Sequence, residues 1–421
     1  MIRLVKRGSL YSTVTDGQNL IQWANYGRTS MQKQFWILVW LALALSLATA
    51  SIAGVRAREA GVPFEGRPGP LNAITDVVGV EVGQVTLIEG DGPLHVGKGP
   101  TRTGLTAIFP KGRGYMGFVS AGTFVANGTG EMTGRALIDE IGEFSGPIVL
   151  TGTGSVGIAH DTVQAWYARK TGGDPESTFI FALPVVAETF DGRLNDTFGQ
   201  HLTAEHVAKA LDMAQGGPVV EGGVGGGTGM VAYGFKGGIG TASRQVVMAG
   251  HTYTVGVLVQ ANYGARDQLT IAGVPVGRQL PAPGAAISPV STPTKKEGSI
   301  IVVIGTDAPL MPGQLRRLAL RATHGVARVG GLSGTTSGDL FMAFSTVRPE
   351  KVDEVMLQTR YVDSFALNPL LAAAAFGTEE AIVNALFAGR TMRGINGTVV
   401  EGLPLESVRS LLRAAGRLRE P

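Results

Sequence analysis

Residues 291–310 read STPTKKEGSIIVVIGTDAPL. A polar, Pro-containing segment runs through Gly298-Ser299 straight into five β-prone apolar residues, Ile300 to Ile304. One reading is an ordinary loop end. The other is a cut between Gly298 and Ser299 that turns Ser299 into a nucleophile. A serine at a chain N-terminus carries its own general base: its α-amine, with a pKa near ~8, can accept the proton of the hydroxyl. Glycine before the cut leaves the carbonyl unshielded and the backbone free to adopt the geometry of an N→O acyl shift. A core strand after it would hold the new terminus rigid. The residues of this stretch leave both readings open.

Other chemistries find less support. There is no cysteine, which excludes disulfides, thiolate nucleophiles and Cys-based metal sites. The histidines at 95, 160, 201, 206, 251 and 324 lack metal-ligand spacing, so no metal is expected. No G-x-S-x-G elbow occurs, so a serine here would be activated by something other than a Ser-His-Asp triad. The glycine-rich stretch EGGVGGGTGM (221–230) runs into the strand-like MVAYGF rather than opening a helix. It therefore fits a tight backbone crossing near a site better than a phosphate loop.

The elements that would position Ser299 are those of an alternating chain. Short β-like runs are expected at Val80–Val85, Thr106–Phe109, Tyr115–Val119 and Pro147–Leu150, and in YTVGVLVQANYG, Ile300–Ile304 and DLFMAFST. Helices are expected in TGRALIDEIGEF with Thr133 as its cap, in SVGIAHDTVQAWYARKTGG, in TAEHVAKALDMAQGG and near Gly313–Arg328. DSFALNPLLAAAAFGTEEAIVNALFAG reads as two helical pieces, the second capped by Thr378. Residues 276–298, rich in Pro, Ser, Thr and Gly, form the most loop-like part of the chain. The alternation predicts α/β layers with helices covering sheets.

Hydrophobic content of 44% over 421 residues provides for a real core, and 62 glycines imply many tight turns. A net charge of +3 without a basic run speaks against nucleic acid. From Met31, Lys33 precedes an apolar run, Phe35 to Ala48, and small residues through Ala53, the pattern of a secretory signal peptide. Residues 1–57 are thus expected to be a targeting segment with its start at Met31, and the protein exported to the periplasm. A retained membrane anchor is the alternative. Residues 58–421 are expected to form one catalytic domain.

The blocks NAITDVVGVEVG, RTGLTAIFP, LPVVAETFDGRLND, GGVGGGTGMVAYGFKGGIGTASR, VGVLVQANYG, GSIIVVIGTDAPLMPGQLRRLALRA and SGDLFMAFST span nearly all of residues 70–350. In order and number they resemble the L-aminopeptidase/D-esterase and β-aminopeptidase family of self-processing N-terminal-serine hydrolases. The resemblance implies a four-layer αββα sandwich similar to N-terminal-nucleophile hydrolases, with different connectivity. It implies a cut at Gly298-Ser299 into an α chain (58–298) and a β chain (299–421), no cofactor, and a homo-oligomer of αβ units. Substrates would be short peptides, amides or esters with a free amine. Ser299 matches the nucleophile, and Asn262 the amide that faces the oxyanion. Ser337 and Asp339 match a serine and a carboxylate behind the nucleophile. Glu188 matches the carboxylate that binds the substrate's amine. Phe190 departs from the pattern: several members carry Tyr there, and losing one oxyanion donor costs ~10²–10³ in rate. An acyltransferase of the ornithine acetyltransferase type and an exported non-enzymatic binding protein are the alternatives.

Overall fold

The computed structural model describes residues 55–173, 183–280 and 298–419. Most of the expected targeting segment, and residues 281–297 of the loop ahead of Gly298, lie outside them. Val55–Pro421 forms one compact unit. Ala57, on the leader side of the expected boundary, is buried, and its N–H donates to Asn384 Oδ1 at 3.1 Å.

Two sheets make the frame. The first is built from β1 (Glu81–Glu89), β2 (Thr101–Phe109), β5 (Ile148–Gly152) and β6 (Val185–Thr189), in that order. The second contains β3 (Phe118–Gly128), β4 (Glu143–Ser145), β7 (Gly238–Met248), β8 (His251–Asn262), β9 (Ser299–Thr306) and β10 (Gly338–Ser345). Its order is β4-β3-β10-β9-β8-β7, which puts β9 in the interior. β9 runs parallel to β10 and antiparallel to β8.

Alternation along the strands sorts side chains into layers. Ile301, Val303, Leu258, Leu340 and Met342 meet Ile148, Leu150, Val185 and Ala187 between the sheets. The other face of the first sheet packs on α1 (Arg135–Ile141)'s successors α2 (Val156–Thr171) and α3 (Ala204–Asp212), through Val163, Trp166, Val207 and Leu211. Ile300, Val302 and Phe341 face the opposite way. They join Leu315, Leu318, Val326, Leu370 and Ile382 from three further helices. Adding the four-residue α4 (Val276–Gln279), these are α5 (Pro312–Leu320), α6 (Ala322–Arg328) and α7 (Asn368–Phe387); α8 is Leu405–Ala414. The layers run helix, sheet, sheet, helix, as expected.

Three local expectations are corrected. Gly134, at φ 72°, precedes α1, while the Thr133 hydroxyl donates to Pro184 O at 2.6 Å, so Thr133 is no cap. The helix expected near 313–328 is two helices meeting at Arg321. α7 is one unbroken helix: Thr378 lies inside it and satisfies its hydroxyl on Ala374 O at 2.8 Å. Buried Glu380 of α7 pairs with Arg244 at 2.7 Å and Arg58 at 2.5 Å, tying β7 and the amino-terminal segment to this helix. Removing Glu380 would leave the buried Arg244 guanidinium without its carboxylate.

Candidate active site

Ser299 is the first residue of β9 and pairs across the ladder with Asn262, the last residue of β8. Both are buried, at 6% exposure. Strand parity turns the Ser299 side chain toward the space between the sheets, with Ile301 and Val303. Its Oγ accepts the Gly338 N–H at 3.0 Å. Gly298 packs so tightly on the end of β8 that an added Cβ would collide with the Asn262 carbonyl oxygen and approach Asn262 Nδ2 to 3.1 Å. The demand for glycine at 298 is therefore one of space.

The Asn262 amide is held at both ends. Its Oδ1 accepts the Val231 N–H at 2.7 Å, and its Nδ2 donates to Phe190 O at 3.0 Å. These two bonds use one of the two Nδ2 hydrogens. The Ser337 hydroxyl contacts the Gly298 carbonyl oxygen and lies 2.5 Å from Asp339 Oδ1. Having a single proton, it serves one of these acceptors at a time. Asp339 is fully buried beside Ile300 of β9. Burial first, and then the field of Asp339, raise the Tyr233 phenol above its ordinary range; burial, Tyr233 and Asp339 do the same to Tyr263. Both phenols therefore stay protonated beside that carboxylate.

Glu188, near the end of β6, is buried at 6% exposure. Its Oε1 accepts the Glu131 N–H at 3.1 Å, and its Oε2 accepts the Thr153 hydroxyl. A Cβ placed on Gly130 would touch both Gly338 Cα and Glu188 Oε1, so this carboxylate borders the segment that holds Ser299. Burial, the largest influence, raises the Glu188 pKa; Thr153 and Glu131's N–H lower it, and the Asp191 and Glu131 charges raise it again. Phe190 contributes its carbonyl to Asn262, and its ring is half exposed.

The structure thus brings Gly298, Ser299, Asn262, Ser337 and Asp339 into one cluster, with Glu188 and Phe190 at its border. Sequence reasoning missed several groups that hold the cluster. Asn127 Nδ2 donates to the carbonyls of Ser337 and, at 3.2 Å, of Thr335; the Thr129 hydroxyl reaches Thr335 O at 2.8 Å. A β-bulge between β3 and β10 at Asp339/Leu340 re-aims this turn. Buried Asp191 accepts from Thr103 at 2.7 Å, Thr197 at 2.5 Å and Asn195 at 3.0 Å, fixing the loop that carries Phe190.

A serine opening a central strand of an αββα sandwich, with an amide and a Ser-Asp pair around it, defines a serine hydrolase of the N-terminal-nucleophile kind. The model of peptidase family S58 matches residues 72–400, and the chain belongs to that family. It is 52% identical over 387 residues to the "Beta-peptidyl aminopeptidase BapA" of Sphingosinicella xenopeptidilytica, covering 89% of this chain and 95% of that one. Among solved structures it resembles the L-aminopeptidase D-Ala-esterase/amidase of Ochrobactrum anthropi, described as a prototype of the serine aminopeptidases and a variant of the Ntn hydrolase fold. The TM-score is 0.78 at 45% identity, over 86% of this chain and 99% of that one. A Burkholderia sp. beta-aminopeptidase gives 0.76 at 44% identity, over 87% and 100%. The protein is an aminopeptidase of the Ntn serine hydrolase kind. The acyltransferase and binding-protein alternatives are not favoured.

Proposed function

We propose that the chain cuts itself between Gly298 and Ser299 and then releases N-terminal residues from short peptides, amides or esters through an acyl-enzyme on Ser299. The observation that carries this reading is the Gly298 carbonyl oxygen in contact with the Ser337 hydroxyl, at a glycine packed against Asn262. Attack of Ser299 Oγ on that carbonyl forms the C–O bond, breaks the C–N bond and leaves an ester that water hydrolyses. The Oγ proton passes to the departing nitrogen by way of Ser337. Asp339 then balances the ammonium of the new terminus. In turnover the Ser299 α-amine is the general base, Asn262 supports the oxyanion, and Glu188 holds the substrate's ammonium. The relatives' names make N-terminal β-amino residues the first substrates to test. Intact-mass analysis tests the cut.

Glu188→Gln tests recognition. A charge-assisted hydrogen bond contributes roughly 1.5–3 kcal/mol, or ten- to a hundred-fold in kcat/KM. The variant is expected to cut itself normally, because that step involves no free substrate amine, yet to lose its preference for free-amine over N-acetylated esters. An unchanged preference refutes the assignment. The raised pKa adds a pH signature. Only the ionised carboxylate binds ammonium. The ratio of free-amine to N-acetylated kcat/KM, in which titration of the Ser299 α-amine cancels, is therefore expected to fall on acidification at a pH above the ordinary glutamate range, and to recover as pH rises. Glu188→Gln would lack this limb.

Two further properties belong to the same reading. Lys33 and the apolar run after it support export; a reporter fused after residue 60 that stays in the cytoplasm would refute it. The exposed Val352, Val355, Met356, Leu357, Tyr361 and Phe365, all between β10 and α7, support a homo-oligomer that buries them. Light scattering that finds only a monomer of the αβ unit rules this out.

A further inference from the structure

The glycine-rich stretch 221–230 has no role in the chemistry above, and neither does fully buried Lys236. The two form one device. Added Cβ atoms at Gly226 and Gly227 would collide with Leu150 O and Ile239 N, so the stretch is a tight crossing between the sheets, as expected from sequence. The chain then turns through the two-residue strands Val231–Ala232 and Phe235–Lys236. Lys236 Nζ comes back beneath the crossing. It donates to Gly227 O at 3.0 Å, Met230 O at 2.9 Å and Gly237 O at 2.8 Å. Burial pushes the Lys236 pKa down to about 7, and the three carbonyl acceptors work against it, because only the ammonium offers three hydrogens.

The Met230 carbonyl and the Val231 N–H belong to one peptide group. Its oxygen faces the Lys236 ammonium, and its N–H faces Asn262 Oδ1 at 2.7 Å. Hydrogen bonds in such a chain polarise one another, more so where water is excluded. The chain runs from the ammonium through the 230–231 peptide and the Asn262 side chain to the second Nδ2 hydrogen. A cation at its far end makes that hydrogen a better donor to a growing oxyanion.

We propose that Lys236 is a positioning residue for the oxyanion: through the 230–231 peptide it fixes and polarises the Asn262 amide. It touches neither substrate nor Ser299. The inference rests on the assignment of Asn262 to the oxyanion.

The test compares Lys236→Met, which keeps the length without donors or charge, with Lys236→Gln, which keeps donors but no charge. A misplaced catalytic group costs about a hundred-fold. Lys236→Met is therefore expected to lower kcat about ten- to a hundred-fold per cut chain, with KM within about twofold. Affinity for a peptide boronic acid, which mimics the tetrahedral state, is expected to fall by the same factor. Lys236→Gln is expected to lie between parent and Lys236→Met. If Lys236→Met does not fold, Lys236→Gln decides, with a kcat loss of at least about threefold and parent KM expected. A purely structural role would raise KM or lower Tm without weakening the boronic acid selectively, and that result overturns the proposal, as does parent-like kcat. Asn262→Ala run alongside separates the two readings. If it too is parent-like, the oxyanion assignment has failed; if it is impaired while Lys236 variants are not, only the role of Lys236 has.

Discussion

Ser299→Ala is expected to remain a single full-length chain and to show no turnover, while the parent yields two fragments, the smaller beginning Ser299-Ile300-Ile301. One hydroxyl is asked to do both jobs, so its loss removes both at once. Deleting a serine nucleophile costs about 10⁶-fold in kcat where it has been measured. The substitution itself is mild: Ser299 Oγ makes one backbone hydrogen bond, from Gly338, and the ladder to Asn262 is main chain. A thermal melt of Ser299→Ala close to that of the parent would show that the loss is chemical. Ser299→Cys retains a nucleophile and is expected to cut, slowly. Gly298→Ala should impair the cut by a different route, since its methyl would strike Asn262 O and push the scissile carbonyl away from Ser337. Active protein that stays uncut, or whose smaller fragment starts elsewhere, overturns the mechanism.

The readable part of this site was the part written locally. Ser299 stands out because composition switches at one peptide bond, from polar loop to a strand buried along its whole length. The sandwich was legible because strands and helices alternate with distinct apolar periods. The residues around Ser299 were not legible in that way. Asn127 and Ser337 lie 210 positions apart, and nothing in either neighbourhood announces the other. Ser337, Asp339, Asn262 and Glu188 could be singled out only because whole blocks resemble a known family; by local chemistry they are turn or strand residues. Lys236 was passed over because a lysine in a strand pattern normally marks an exposed face, and only tertiary packing shows its amine surrounded by carbonyls. Thr378 failed for the converse reason. A threonine after glycine looks like a cap, but in a buried helix its hydroxyl can bond backwards instead.

Asn262→Ala is expected to slow every substrate, with kcat falling by ~10²–10³ and KM nearly unchanged, because the amide contributes most where charge develops. The structure makes this a sharp test. Val231 N–H and Phe190 O fix the amide plane, so its second hydrogen is preorganised before substrate arrives. With Phe190 lacking a hydroxyl, no tyrosine at that position can take over the load. Asn262→Asp is expected to be worse than alanine. Its Oδ1 can still accept from Val231, but its second oxygen would face Phe190 O and the growing oxyanion, replacing attraction by repulsion. The cut at Gly298-Ser299 is expected to slow in parallel, since Gly298 packs against the same residue. Glu188→Gln separates from both variants, because its loss is confined to substrates with a free amine. If Asn262→Ala keeps kcat within about threefold, or affects free-amine substrates alone, the oxyanion is held by backbone N–H groups, and Asn262 serves only to close the end of β8.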